Sequence, residues 1–235
     1  IVAAAGNVDH AQITDQAAAL ADKLPPGRAP SVAPAQFGGG GGVTERPVEQ
    51  THVAVSFDGV SFRDPRYFAA QVFSGLFGGG ISSRLFQRAR EEKGLCYTIY
   101  SFASGYSDAG MFGIYAGTGG EAVDPLMGLV WGELNALAHE GPSPDEVARS
   151  KAQLKAGLLM SLESSGARAE QMARHLLAYD RVLGPDELIA RVEAVTVHDI
   201  QALAQGMMAQ ERIAWSVITN NAALVSPEAM TGGRG

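Results

Sequence analysis

The sequence predicts an α+β domain in which helices pack on one face of a largely antiparallel sheet. Three observations predict it. Alternating strand-like runs occur up to Thr118 and again at Ile213 to Thr219, the region between them is a succession of capped helical segments, and 46% of the 235 residues are hydrophobic, enough for a sizeable core.

The elements follow in order. Ile1 to Ala5 is an apolar run that reads as a short strand ended by Gly6, and Asp9 caps a helix to about Leu24, with Ile13, Ala17, Leu20 and Leu24 at helical spacing. Pro25, Pro26, Pro30 and Pro34 and the consecutive glycines Gly38 to Gly42 then predict a linker that sustains neither helix nor core strand. Gln50 to Gly59 alternates as a strand should, and Asp64-Pro65 supplies a cap and a first-turn proline for a helix to about Phe77. A short helix is expected from about Ser83 to Lys93, stopped by Gly94. Tyr97 to Tyr106 and Met111 to Thr118 form a hairpin around Ser107 to Gly110. Glu121 to His139 is amphipathic. Ser143-Pro144-Asp145-Glu146 is a capping box opening a helix to about Leu162, Gly166 and Gly184-Pro185 punctuate two more, and Thr196 with Asp199 starts another. The expected organisation is residues 1–24 as a terminal strand and helix, 25–43 as linker, 44–222 as the main domain and 223–235 as a tail.

Composition excludes several function classes. The formal charge of −7 disfavours nucleic acid, which needs clustered Lys and Arg in excess, and is compatible with basic peptides. No apolar run approaches the roughly 18 residues of a membrane span, so no membrane insertion is expected. Cys96 is the single cysteine, which rules out an internal disulfide and reads as a small buried residue in a reducing compartment. The chain opens without methionine on a strand-like run, and residues preceding Ile1 are expected.

Catalytic patterns are sparse. His10, His52, His139, His175 and His198 stand alone, none with a second histidine one helical turn away, so no His-x-x-Glu-His or related metal motif is present. No Gly-x-Ser-x-Gly elbow occurs, and Ser82-Ser83 has no identifiable base. Gly78, Gly79 and Gly80 precede a helix but lack a P-loop lysine; they read as a turn that lets one backbone approach another, as the wall of a substrate chamber requires. Arg90 and Tyr97 flank Gly94, whose tight turn can bring guanidinium and phenol to one edge. Two readings stand side by side: donors for a peptide carbonyl or the oxyanion formed on it, or a helix-end cation and a strand-packing tyrosine.

The stretch Leu76 to Tyr100, LFGGGISSRLFQRAREEKGLCYTIY, strongly resembles the second homologous domain of the mitochondrial-processing-peptidase-like branch of the pitrilysin/insulinase zinc peptidases. The resemblance continues through Ser107 to Thr118, Ala148 to Leu177 and Arg191 to Ala204, and IVAAAGNVDH resembles the last strand and turn of the family's first domain. It implies paired α+β domains forming two halves of a hollow shell around a peptide. It also implies zinc in the first domain or a partner subunit, none held by these residues, and a substrate-contacting arginine and tyrosine matching Arg90 and Tyr97. A homodimer or heterodimer is implied, with that pair facing a partner's zinc site. Two functions follow: the substrate-binding half of a zinc metalloendopeptidase acting on peptides or presequence-like segments, or a non-catalytic partner or scaffold subunit. A bacterial cytoplasm is the expected setting, with an organelle matrix as the alternative.

Overall fold

The computed structural model describes residues 1–25, 27 and 32–233. Its centre is a five-stranded sheet in the order β1-β5-β2-β4-β3, from β1 (Gly40–Glu45), β2 (Thr51–Asp58), β3 (Thr98–Gly105), β4 (Gly110–Thr118) and β5 (Ala214–Thr219). Only β1 with β5 is parallel; β5 with β2, β2 with β4 and β4 with β3 are antiparallel, matching the predicted class.

The alternation of β2 decides which face is covered. Val53, Val55 and Phe57 are buried, while His52, Ala54 and Ser56 between them are only half-buried. The buried row meets α2 (Tyr67–Gly78), α3 (Val123–Glu140) and α7 (Val197–Met208) through Val72, Phe73, Phe77, Leu126, Leu134 and Ile200. Phe73 meets Phe112 edge to face at 5.1 Å between ring centroids, and Phe57 meets Trp131 likewise at 5.7 Å. Each such large apolar side chain contributes about 1.5–3 kcal/mol through burial. The helices α4 (Pro144–Ser161), α5 (Ser165–Tyr179) and α6 (Pro185–Glu193) lie further from the sheet, α4 against α2 and α6.

Caps behave as the sequence predicts at three helices. Asp9 accepts the Gln12 N–H at 2.9 Å ahead of α1 (His10–Ala21), and Ser143/Glu146 and Thr196/Asp199 are complete reciprocal capping boxes.

Four local expectations need correction. Ile1 to Ala5 is not a strand: no strand lies beside it among the described residues, and Ile1 is 69% exposed. The strand-free linker ends early, because Gly40 to Gly42 form half of β1. The absence of side chains permits this, since a β-carbon on Gly41 would fall 2.2 Å from the Trp215 ring across the pair. Pro26 and Pro30 of that linker lie outside the described residues. The helix expected at Pro65 begins at Tyr67, because the Asp64 carboxylate accepts the Arg66 N–H at 2.7 Å and its guanidinium, holding a turn instead. Finally, Phe86–Glu92 winds with wide i→i+5 bonds rather than as an ordinary α-helix.

Beyond Asn221 the chain turns back onto the domain. The short α8 (Pro227–Thr231) buries Met230 completely, and the Trp131 indole N–H donates to the Ala229 carbonyl at 2.9 Å.

Candidate functional site

The wide-turn helix Phe86–Glu92 is anchored through charge. Arg84 just ahead of it binds Glu146 of α4 with two hydrogen bonds, 2.6 and 3.0 Å, and lies 3.5 Å from Glu133 of α3, which Arg88 also approaches at 3.7 Å. Burial alone would push Glu146 up, but Arg84 and the Ser143 N–H and O–H outweigh it and hold the carboxyl down at about 2.

Arg90 lies outside that network. Its guanidinium stacks over Phe86, 4.7 Å from the ring centroid, with Glu91 at 3.8 Å. The helix then ends on Gly94, whose φ of +61° favours glycine, and the Gly94 N–H donates to the Arg90 carbonyl at 3.2 Å. Two residues later Cys96 is buried, which pushes its thiol up against the opposing pull of Arg90. Tyr97 donates its backbone N–H to Gly117 at 2.9 Å while its side chain is 66% exposed. Arg90 and Tyr97 therefore flank one turn as exposed donors, with no hydrogen bond between them among the described residues.

The triple glycine makes a close backbone approach inside the domain. A β-carbon on Gly78 would sit 2.5 Å from the Ser101 nitrogen of β3, and one on Gly79 would sit 2.5 Å from the Gly75 Cα. Gly80 faces Gln153 of α4. Past them Ile81 projects into solvent, 74% exposed, and the Ser83 hydroxyl donates to the Gly80 carbonyl at 2.6 Å, which occupies it in the turn.

A second constellation went unnoticed in the sequence. On the uncovered sheet face, His52 Nδ1 and the Tyr115 hydroxyl are 2.7 Å apart, and the Tyr115 ring lies 5.1 Å from Tyr100, which neighbours Phe102 at 6.2 Å. Gly113 leaves room for Phe102 to lie across it, a β-carbon there falling 2.2 Å from the ring. The alternation of each strand carried half the signal. The other half is register, Tyr100 opposite Tyr115 and His52 opposite Gly117, which the separate strands do not encode. Chemically the surface offers ring faces and an imidazole to an extended chain.

The histidines stay apart. His10, His139 and His198 are exposed, His52 is on Tyr115, and His175 Nδ1 accepts the Leu183 N–H at 3.2 Å. Among the described residues no three His, Cys, Asp or Glu side chains gather as a metal site would require, so these residues do not fit a zinc ion. No helix among them is long and apolar enough to cross a membrane.

A family model described as the peptidase M16 inactive domain matches residues 1–154. An uncharacterized zinc protease of Streptomyces coelicolor is 34% identical over 217 residues, covering 88% of this chain and 47% of its own length. The uncharacterized zinc protease YmxG of Bacillus subtilis is 30% identical over 211 residues, 90% of this chain and 52% of the relative. The chain thus spans about half the length of these curated relatives. Among solved structures, a peptidase M16 inactive domain from Pseudomonas fluorescens superposes with a TM-score of 0.78 at 23% identity, over 92% of this chain and 53% of that one. A chain of complex III2 from Candida albicans reaches 0.83 at 24% identity, over 97% and 57%. At these identities the two structures speak to the fold alone.

Proposed function

The chain belongs to the peptidase M16 family, as its inactive domain, and from that premise we propose that it is the C-terminal, substrate-binding half of a zinc metalloendopeptidase. The observation that carries the reading is a division of labour. Relatives about twice as long are named zinc proteases, while this sequence has no His-x-x-Glu-His and its described residues gather no metal ligands. In this reading the zinc sits on residues outside this chain, in an upstream homologous domain or a partner subunit of a homo- or heterodimer, and supplies the activated water there.

What this chain contributes is grip. Arg90 and Tyr97 are exposed donors, and in the proposed role they hold the carbonyl of the scissile peptide and the oxyanion that develops on it. The loop following Gly78, Gly79 and Gly80, with Ile81 at its tip, forms part of the chamber wall. The substrate class we propose is an extended, basic peptide of the presequence type, held by strand addition at a sheet edge. Its cations suit the net charge of −7 and the ring faces of Tyr100, Phe102 and Tyr115. The bacterial relatives make a bacterial cytoplasm the setting we propose.

The test uses the full-length gene product. Metal analysis should find zinc, and cleavage of a basic extended peptide should stop on adding a chelator and return with zinc. A full-length product that lacks the histidine motif, and hydrolyses only when mixed with a second subunit, would replace this reading with that of a non-catalytic partner or scaffold.

A further inference from the structure

Between α2, α4 and α5, away from Arg90 and Tyr97, lies a cavity of about 300 Å³ walled by Phe62, Phe68, Leu154, Leu158 and Leu188. It continues past Phe68, Ala178 and Tyr179 into a larger cleft of about 710 Å³, where Arg63, Arg66, Arg181 and Arg191 face the carboxylates of Asp64, Asp180 and Asp199. Pockets of this size and lining take small molecules whose few polar groups meet matching ones on the wall.

The inner cavity carries acceptor oxygens on Gln71, Gln171 and Glu170, and its donors are Arg174, His175 and the phenols of Tyr67 and Tyr179. The hydroxyls of Tyr67 and Tyr179 make no hydrogen bond among the described residues, although burial pushes both phenols up, Tyr67 to about 12, so each keeps its proton. His175 accepts the Leu183 N–H on Nδ1, which leaves the neutral ring with its proton on Nε2. Glu170, the carboxylate at the rim, is already held by Arg174. At the boundary between cavity and cleft the Arg191 guanidinium lies 5.7 Å from the Phe68 ring centroid and 5.8 Å from that of Tyr179. It shares Glu187 with Arg181, while Arg66 is held by Asp64 and Arg63 lies 3.5 Å from Asp180.

We propose that this cavity binds an amphiphilic carboxylate of medium-chain fatty-acid size, its apolar body between α2, α4 and α5 and its carboxylate at the Tyr67, Tyr179 and Arg191 end. At that end two hydroxyls without a partner among the described residues, and a guanidinium that shares its carboxylate, meet an apolar wall, a combination that suits an acceptor-only anionic head better than a cationic one.

The experiment is calorimetric titration of the intact protein with octanoate, octanol and octylammonium. Octanoate should saturate, octanol should bind at least tenfold more weakly, and octylammonium should show no saturable binding. Filling the cavity with Leu158→Trp should abolish octanoate binding while the unfolding temperature stays near that of the wild type. Should that variant fail to fold, the double variant Tyr67→Phe/Tyr179→Phe decides instead, since removing both donors should weaken octanoate at least tenfold. The proposal is overturned if octanoate does not saturate the wild type, if octanol binds as well, or if the variants leave octanoate affinity unchanged.

Discussion

Gly78, the last residue of α2, lies so close to Ser101 of β3 that a β-carbon would fall 2.5 Å from the Ser101 nitrogen. The Ser101 hydroxyl completes the contact by donating to the Ser74 carbonyl at 2.9 Å. Here helix and strand meet backbone to backbone, and neither can step aside as a flexible side chain would. Gly78→Ala should therefore lower stability by about 1–3 kcal/mol through overpacking. Gly128, inside α3 with nothing within 4 Å of its would-be β-carbon, is the control: Gly128→Ala should raise stability by about 0.5–1 kcal/mol. Thermal unfolding of both variants checks the contrast, and shifts of the same sign would contradict it.

Acid should weaken the fold through Glu146. Its folded value of about 2 lies below the 4.5 of the free side chain, so the stability it contributes is fully present above about pH 4.5 and is lost as pH falls toward 2. Glu146→Gln should flatten the stability curve across that window and lower the plateau at neutral pH, because Arg84 loses its two charged hydrogen bonds to Glu146 and keeps only the longer approach to Glu133. Denaturant titrations at pH 7, 5, 4 and 3 measure it. An unchanged slope in the variant would place the acid sensitivity elsewhere.

The terminal helix should matter to the whole domain. Met230 is fully buried, so Met230→Ala should cost about 2–5 kcal/mol in chemical denaturation. A cost near zero would mean that α8 is detached in solution.

Arg90→Ala and Tyr97→Phe should separate grip from stability. Both side chains are about half exposed or more, so neither change should move the unfolding temperature appreciably. In the proposed full-length enzyme each should lower kcat/KM about a hundredfold, the cost of losing a donor to the developing oxyanion. A loss within about twofold would remove that residue from the proposed role.

Local rules made much of the fold legible. The capping boxes at Ser143/Glu146 and Thr196/Asp199 and the hairpin around Ser107 to Gly110 needed only residues near in sequence. The glycine strand Gly40 to Gly42 did not announce itself, because glycines carry no pattern and their strand exists by virtue of β5 and the Trp215 ring. Ile1 to Ala5 failed in the opposite sense: a strand-like composition with no strand beside it among the described residues. The wide winding of Phe86–Glu92 is likewise set by its surroundings, where Arg84 and Arg88 tie it to two other helices. Of the candidate site, Arg90, Tyr97 and the triple glycine stand out in the sequence as an unusual local string. The His52–Tyr115–Tyr100 contact was not, since it arises only when three strands align.

The strand order carries a consequence for biosynthesis. β5 is made last among the strands of this sheet, yet it sits between β1 and β2, the two that precede the others in the sheet. Until Thr219 has emerged, the glycine strand has no neighbour and β2 presents a bare edge to any other nascent chain. A polypeptide cut short before that residue would be left with an open, adhesive sheet, which makes the closing strand the one this domain can least afford to lose.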